Sequence, residues 1–174
     1  MKKNICMIGF MGSGKSTVSK KLERLLGREE IEMDDYIINK EGMSIPDIFA
    51  KFGETYFRQV ETEVMRALMQ EQGKIISCGG GVVMKDENVA AMKQGGMIIM
   101  LDATPETIYE RVKDSTDRPL LNGNMNIEHV RGLMAKRSER YKVVADYIVH
   151  TDGKTVAKVC EEIIAIVEAA ESND

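Results

Sequence analysis

Aromatic residues make up only 5% of this 174-residue chain, histidine occurs twice, and cysteine three times. Each shortage removes a class of function. So few aromatics leave little material for a large stacking slot, which mildly disfavours a nucleobase as the group acted upon. Cys6, Cys78 and Cys160 stand far apart, without C-x-x-C spacing or neighbouring histidines. A zinc site is therefore not expected. Their odd number, with no recognisable secretory leader, fits a reducing cytoplasmic setting. Cys6 in an apolar run and Cys160 on an apolar helical stripe read as small core residues. No apolar run nears the roughly 20 residues that cross a bilayer, so no membrane association is expected. A net charge of −4 and a pI near 5.4, with no basic stripe, argue against a nucleic-acid partner. Both histidines look ordinary: His129 falls in the first turn of a helix and His150 at the end of a strand.

What is present is regular. Hydrophobic residues at 43% and charged ones at 30% suit an ordinary globular chain, expected to form one domain over residues 1–174. Short apolar runs alternate with amphipathic stretches. Strands are predicted at Asn4–Ile8, Glu30–Met33, Lys74–Cys78, Met97–Leu101 and Asp146–His150. Leu22, Leu25 and Leu26 share a face of the first helix, which Gly27 can end. Ser44 with Asp47 marks a helix start ahead of IPDIFAKF, and another helix is predicted from near Glu54 to Glu71. Asp86 is read as the cap of ENVAAMKQ, which Gly95 ends. Thr104–Pro105 reads as an N-cap with proline at the first helical position, and Asn126 caps a helix through Arg140. A last helix covers roughly Thr155 to Ala170. This order predicts an α/β fold, a parallel sheet covered on both faces. Two regions interrupt the alternation: about 34–72, read as a pair of inserted helices, and 113–125, a polar loop-like segment.

The stretch GFMGSGKST, Gly9 to Thr17, satisfies G-x-x-x-x-G-K-[ST] between a predicted strand and a predicted helix. Glycines at 9, 12 and 14 let backbone N–H groups turn inward as a nest for phosphate oxygens. The helix that follows adds its unpaired N–H groups and the positive end of its dipole. Lys15 then reaches the β- and γ-phosphates, and the Ser16 hydroxyl is a ligand for Mg²⁺. Gly12, Ser13, Gly14, Lys15, Ser16 and Thr17 form the expected nucleotide-binding set. The alternative, a glycine-rich turn with a chance lysine, does not explain the strand–turn–helix context. A GTP-dependent switch is not expected, because D-x-x-G is absent and Asn39–Lys40 is followed by Glu41 and Gly42 rather than x-Asp.

Four further features are candidates for the phosphoryl acceptor's pocket. Asp34, at the end of the second strand, would face the ligand crevice and could take an alcohol's proton. Its lesser alternative is the N-cap of DYIINKEG, a role for which Asp35 competes. Arg58 in GETYFRQVE would alone read as a solvated helix face. Gly79, Gly80 and Gly81 follow the third strand, and three glycines in a row are entropically unfavourable unless something approaches the backbone closely. Arg137 in KRSERY could bind a carboxylate bidentately or pair with neighbours such as Glu139. Asp102, which imitates a Walker B acid, is read as a turn residue before the Thr104 cap.

Taken together, GFMGSGKST, E-M-D at 32–34, GETYFR at 53–58, GGG at 79–81, RPLL at 118–121 and RSERY at 137–141 resemble the shikimate kinase family in order and spacing. The resemblance implies a P-loop, nucleoside monophosphate kinase-like fold: a three-layer sandwich around a five-stranded parallel sheet, with a substrate-binding insertion and a lid. It implies ATP-dependent phosphorylation of the 3-hydroxyl of shikimate, toward chorismate and the aromatic amino acids. Asp34 would hold the reacting hydroxyls and accept the proton, while Arg58 and Arg137 clamp the carboxylate. The Gly79–Gly81 backbone would contact ring hydroxyls, and Arg118 in the lid would meet the transferring phosphate. Arg111 would lie against the adenine, with the loop near Asp152 and Lys154 on its other side. Mg²⁺ would accompany ATP, held by Ser16 and, through water, by Glu32. A monomer is expected.

Two positions depart from the family pattern. Glu32 stands where the first aspartate of D-x-D is usual; it keeps the charge and adds a methylene. Cys78 stands where threonine is frequent, and a thiol is the poorer donor. Counting eight residues back from Gly42 selects Asp34 over Asp35. The competing acceptors are gluconate and nucleoside monophosphates, whose kinases share the phosphate loop but should lack the Arg58–GGG–Arg137 combination.

Overall fold

The computed structural model describes residues 2–114 and 126–173. Strands β1 (Asn4–Ile8), β2 (Glu30–Glu32), β3 (Ile75–Ser77), β4 (Gly96–Asp102) and β5 (Tyr147–His150) form one sheet in the order β2-β3-β1-β4-β5. Every pairing is parallel. The central strand is buried along its whole length, and its residues alternate between two cores. Ile5 and Met7 join Val18, Leu22, Ile163 and Val167 on one face, whereas Cys6 and Ile8 join Ile37, Val64, Met65 and Leu68 on the other. This two-sided burial is why β1 and β4 read as continuous apolar runs rather than alternating ones.

Helices α1 (Lys15–Leu26), α2 (Met33–Glu41), α3 (Ile45–Phe52), α4 (Glu54–Leu68), α5 (Asp86–Gly95), α6 (Pro105–Val112), α7 (Ile127–Val144) and α8 (Val156–Ser172) complete the described residues, with a 3-10 turn at Val82–Met84. Helices α1 and α8 pack together on one face. Ser44, Thr104, Asn126 and Thr155 cap α3, α6, α7 and α8, each side chain accepting from the backbone N–H three residues on. Prolines follow Ser44 and Thr104 in the first turn.

Several expectations need correction. The insertion between β2 and β3 carries three helices, not two, because Gly42 and Gly53 each stop a helix with positive φ. β2 ends at Glu32, so Asp34 is the second residue of α2 rather than a strand end or an N-cap. The cap position belongs to Glu32, and Asp34 and Asp35 both sit in the first turn, where the helix dipole favours acid. Leu25 is exposed, since the buried stripe of α1 runs through Val18, Ser19 and Leu22. Asp86 opens α5 without capping it, and the helix includes Gly95 before leaving at Gly96. Helix α4 ends at Leu68, three residues before the predicted Glu71. Asp102 is the last residue of β4, not part of the turn.

Candidate active site

The phosphate loop, the β2–α2 junction, the glycine triplet and the β4 and β5 ends all lie at the carboxyl ends of strands, where a parallel α/β sheet forms its ligand crevice. The loop leaves the central strand. Gly12 has φ of 79°, and a Cβ there would stand 2.6 Å from Val112 Cγ1, so any other residue is strained in its backbone and has to push the Val112 side chain aside. Gly14 occupies the cap position of α1 in the left-handed region, and Val18 N donates to its carbonyl at 2.9 Å. Unlike α3, α6, α7 and α8, α1 has no side-chain cap, and its first turn holds no acid. Lys15, Ser16 and Thr17 occupy that turn, with Ser16 and Thr17 exposed. A dipole end with uncapped donors and no competing carboxylate suits an anion. Lys15 Nζ lies over the loop, donating to Gly9 O at 2.7 Å and Phe10 O at 3.2 Å. Ser13 is buried beneath it, its Oγ close to Gly9.

Ser16 Oγ donates to Glu32 Oε2 at 2.6 Å, so the two residues expected to serve Mg²⁺ already meet. Among the described residues no group of three or more His, Cys, Asp or Glu could hold a metal ion. An ion that arrives with a nucleotide needs no such cage: Mg²⁺ keeps waters and phosphate oxygens and takes one or two protein oxygens.

The three glycines after β3 gather the remaining groups, and the space where each Cβ would stand shows how. At Gly79 that point lies 3.3 Å from Asp34 Oδ1 and 3.2 Å from Glu61 Oε2. At Gly80 it lies 3.0 Å from Arg137 Nη1, and at Gly81 only 2.4 Å from Arg58 Nη1. Arg58 and Arg137, on separate helices, therefore stand against the Cα atoms of adjacent residues, which are about 3.8 Å apart along the chain. The close approach inferred from GGG comes in this structure from site side chains. Burial pushes the Asp34 carboxyl above its ordinary range, with Glu32 adding to the effect and Lys15 and Arg58 opposing it. A carboxyl so poised is suited to taking a proton.

Glu61 was not singled out from the sequence. Its side chain is 2% exposed and accepts from Arg58 Nη1 at 2.9 Å, which fixes the guanidinium beside Gly81. Burial pushes its carboxyl up, with Arg58 pulling it back. A signal did exist: Phe57, Glu61, Val64, Met65 and Leu68 share one buried face of α4, and an acid within an apolar stripe needs a partner. Tyr141, in the RSERY segment, is also buried and donates to Gly80 O at 2.6 Å.

On the nucleotide side, Arg111 spans from the phosphate loop to the end of β5, donating to Gly12 O at 3.1 Å and reaching Thr151 Oγ1 at 3.5 Å. Asp152 accepts from Thr104 N at 3.0 Å and so joins the loop after β5 to the start of α6. Lys154 is paired with Glu162 at 2.9 Å. Asp102 pairs with His150 at 3.1 Å, a contact set by their register across β4 and β5. Cys78 is fully buried, its Sγ directed to Ile76 O at 3.7 Å; contact with Cys6 and burial hold the thiol well above its ordinary range. Arg118 and most of the 113–125 segment lie outside the described residues.

A phosphate loop on the central strand, facing a carboxylate and two guanidinium groups, defines a P-loop phosphotransferase with the nucleoside monophosphate kinase-like fold. The "Shikimate kinase" family model matches residues 11–168. A curated shikimate kinase from Thermodesulfovibrio yellowstonii is 41% identical over 162 residues, 93% of each chain. One from Geobacter metallireducens is 38% identical, covering 95% of this chain and 92% of its own. Among solved structures, shikimate kinase from Acinetobacter baumannii in complex with shikimate superposes with a TM-score of 0.90 at 32% identity, covering 98% of this chain and 95% of that one. A gluconokinase from Sinorhizobium meliloti, at 15% identity and a TM-score of 0.61, shares the fold alone. The chain belongs to the shikimate kinase family.

Proposed function

We propose that this chain transfers the γ-phosphoryl group of Mg·ATP to the 3-hydroxyl of shikimate, giving shikimate 3-phosphate and ADP on the way to chorismate and aromatic amino acids. The observation that carries this reading is the convergence of Asp34, Arg137 and Arg58 on three consecutive glycines at the end of β3. Shikimate is a small carboxylate with vicinal hydroxyls, which matches two cations and one proton acceptor.

Arg58 and Arg137 bind the acceptor's carboxylate, turning the opposite side of its ring toward Asp34. Asp34 accepts the 3-hydroxyl proton as the oxygen bonds to the γ-phosphorus. The bond from that phosphorus to the β–γ bridging oxygen breaks, and its electron pair leaves with ADP. Lys15 leaves the loop carbonyls to bind the β- and γ-phosphates, balancing charge that shifts onto the bridging oxygen. Ser16 and Glu32 would hold one Mg²⁺ ion, which would neutralise phosphate charge when bound. Arg111 lies beside the adenine, with Lys154 and its loop opposite. Arg118 reaches the transferring phosphate from a lid at about 113–125, which excludes water as a competing acceptor.

On this reading residues 1–174 are a single kinase domain, and about 34–72 form its acceptor-binding insertion. It works as a cytoplasmic monomer on two small molecules, without nucleic acid or membrane. No helix among the described residues is long and apolar enough to cross a membrane. The test is ADP release with shikimate, gluconate and several nucleoside monophosphates as acceptors. Shikimate should be turned over at least a hundredfold faster than the others; background rates with shikimate beside clear turnover of another acceptor overturn the proposal.

A further inference from the structure

We propose that Tyr141 is a positioning residue for acceptor binding: its hydroxyl joins the Arg137 guanidinium to the Gly80 carbonyl and so sets the spacing of the two-arginine clamp. This rests on the shikimate reading and adds a residue that acts through others. Tyr141 and Arg137 lie one turn apart on α7, so their side chains meet on one face. The phenol donates its only hydrogen to Gly80 O at 2.6 Å. Its oxygen and Arg137 Nη1 crowd the same point beside Gly80, 3.5 and 3.0 Å from where a Cβ would stand, so the guanidinium faces the oxygen's lone pairs. The ring is 2% exposed, so this geometry is held by packing.

The glycine triplet explains why such a clamp matters. Gly79 and Gly81 have their carbonyls held within the turn, by Val82 N at 3.2 Å and Met84 N at 3.1 Å. The Gly80 carbonyl is held from outside the turn, by Tyr141. Because the peptide unit is planar, holding that carbonyl also aims the Gly81 N–H. Three glycines would otherwise sample many orientations. One hydroxyl thus fixes both a backbone donor beside Arg58 and the guanidinium beside Gly80.

The test is Tyr141→Phe, which keeps the buried ring and removes the hydroxyl. The expected result is a rise of roughly tenfold in KM for shikimate, the size of a lost hydrogen bond to a charged group. KM for ATP and kcat should stay within about twofold, since neither depends on the carboxylate clamp. The preference for shikimate over its methyl ester should shrink by a similar factor. In an Arg137→Ala background, Tyr141→Phe should add no further loss. An unchanged KM, equal losses on acid and ester, or additive losses in the double variant each overturn the proposal. Should Tyr141→Phe lack a cooperative thermal transition, 3-fluorotyrosine at position 141 decides the matter. Shikimate affinity should then fall as pH rises through the analogue's titration, and a flat profile contradicts the clamp. Failure of the wild-type chain to phosphorylate shikimate strikes the functional reading itself, whereas normal wild-type turnover with an unaffected Tyr141→Phe strikes only this inference.

Discussion

Gly81→Ala isolates the acceptor clamp from the rest of the molecule. Gly81 has φ of −96° and ψ of −2°, a conformation open to alanine, so the backbone itself is not strained. The new methyl would stand 2.4 Å from Arg58 Nη1 and 2.8 Å from Cζ and Nη2. Ordinary contact begins near 3.4 Å, so the guanidinium has to retreat by about 1 Å. A displacement of that size breaks bidentate geometry with a carboxylate, which is worth about 1.5–3 kcal/mol. Shikimate affinity should therefore fall by roughly 10- to 150-fold. The same retreat stretches the Arg58–Glu61 pair at 2.9 Å, so a loss of about 1 kcal/mol in stability is expected, or roughly 2–4 °C in Tm. ATP binding, on the far side of the crevice, should be unchanged. Isothermal titration with shikimate and with a non-hydrolysable ATP analogue reads both effects. If shikimate binds Gly81→Ala within twofold of the wild type, Arg58 does not carry the carboxylate and the clamp is wrongly drawn.

Asp34→Asn should lower kcat by at least a hundredfold while ATP affinity stays within a factor of about three, measured by single-turnover kinetics and titration. Burial raises the Asp34 pKa, so kcat/KM should rise with pH through a titration lying above the ordinary aspartate range, and that limb should vanish in Asp34→Asn. The linked stability has the opposite sign: a raised acid is favoured protonated in the folded state, so its contribution is present below the unfolded pKa and lost as pH rises through the folded one. Asp34→Asn should thus melt no lower than the wild type at pH 7, and a clearly lower Tm there would refute the assignment of burial as the dominant cause. Lys15→Met should abolish turnover even with both substrates saturating; retained activity removes the phosphate-cradle role. Glu61→Ala should raise KM for shikimate at least tenfold by freeing Arg58, and an unaltered KM would mean the guanidinium is held by other contacts.

The parts of the molecule legible in the sequence are those whose chemistry is local. A phosphate nest needs glycines and a lysine at fixed offsets, so GFMGSGKST announces both the loop and the helix it opens. Three helix caps, Ser44, Thr104 and Asn126, were readable for the same reason, each being a side chain that bonds three residues along. Asp34 was expected at a strand end facing the ligand crevice; it stands beside Gly79 but on α2, since that helix begins directly after β2 without a linking residue. The importance of Glu61 lay hidden because its i,i+3 spacing from Arg58 resembles a solvated surface pair. Only the packing of α4 makes it a buried one. The Asp102–His150 contact depends on strand register, which no single segment encodes. Arg137 was readable as a cation, but the bond from the Tyr141 hydroxyl to Gly80 O was not, because that glycine lies 61 residues away.

A crystal structure of the ternary complex with shikimate and a non-hydrolysable ATP analogue decides whether the two arginines and Asp34 hold the acceptor together. The carboxylate should lie between Arg58 and Arg137, and the 3-hydroxyl within hydrogen-bond distance of Asp34 and in line with the γ-phosphorus. A carboxylate bound elsewhere, or a 3-hydroxyl facing away from Asp34, would contradict that arrangement.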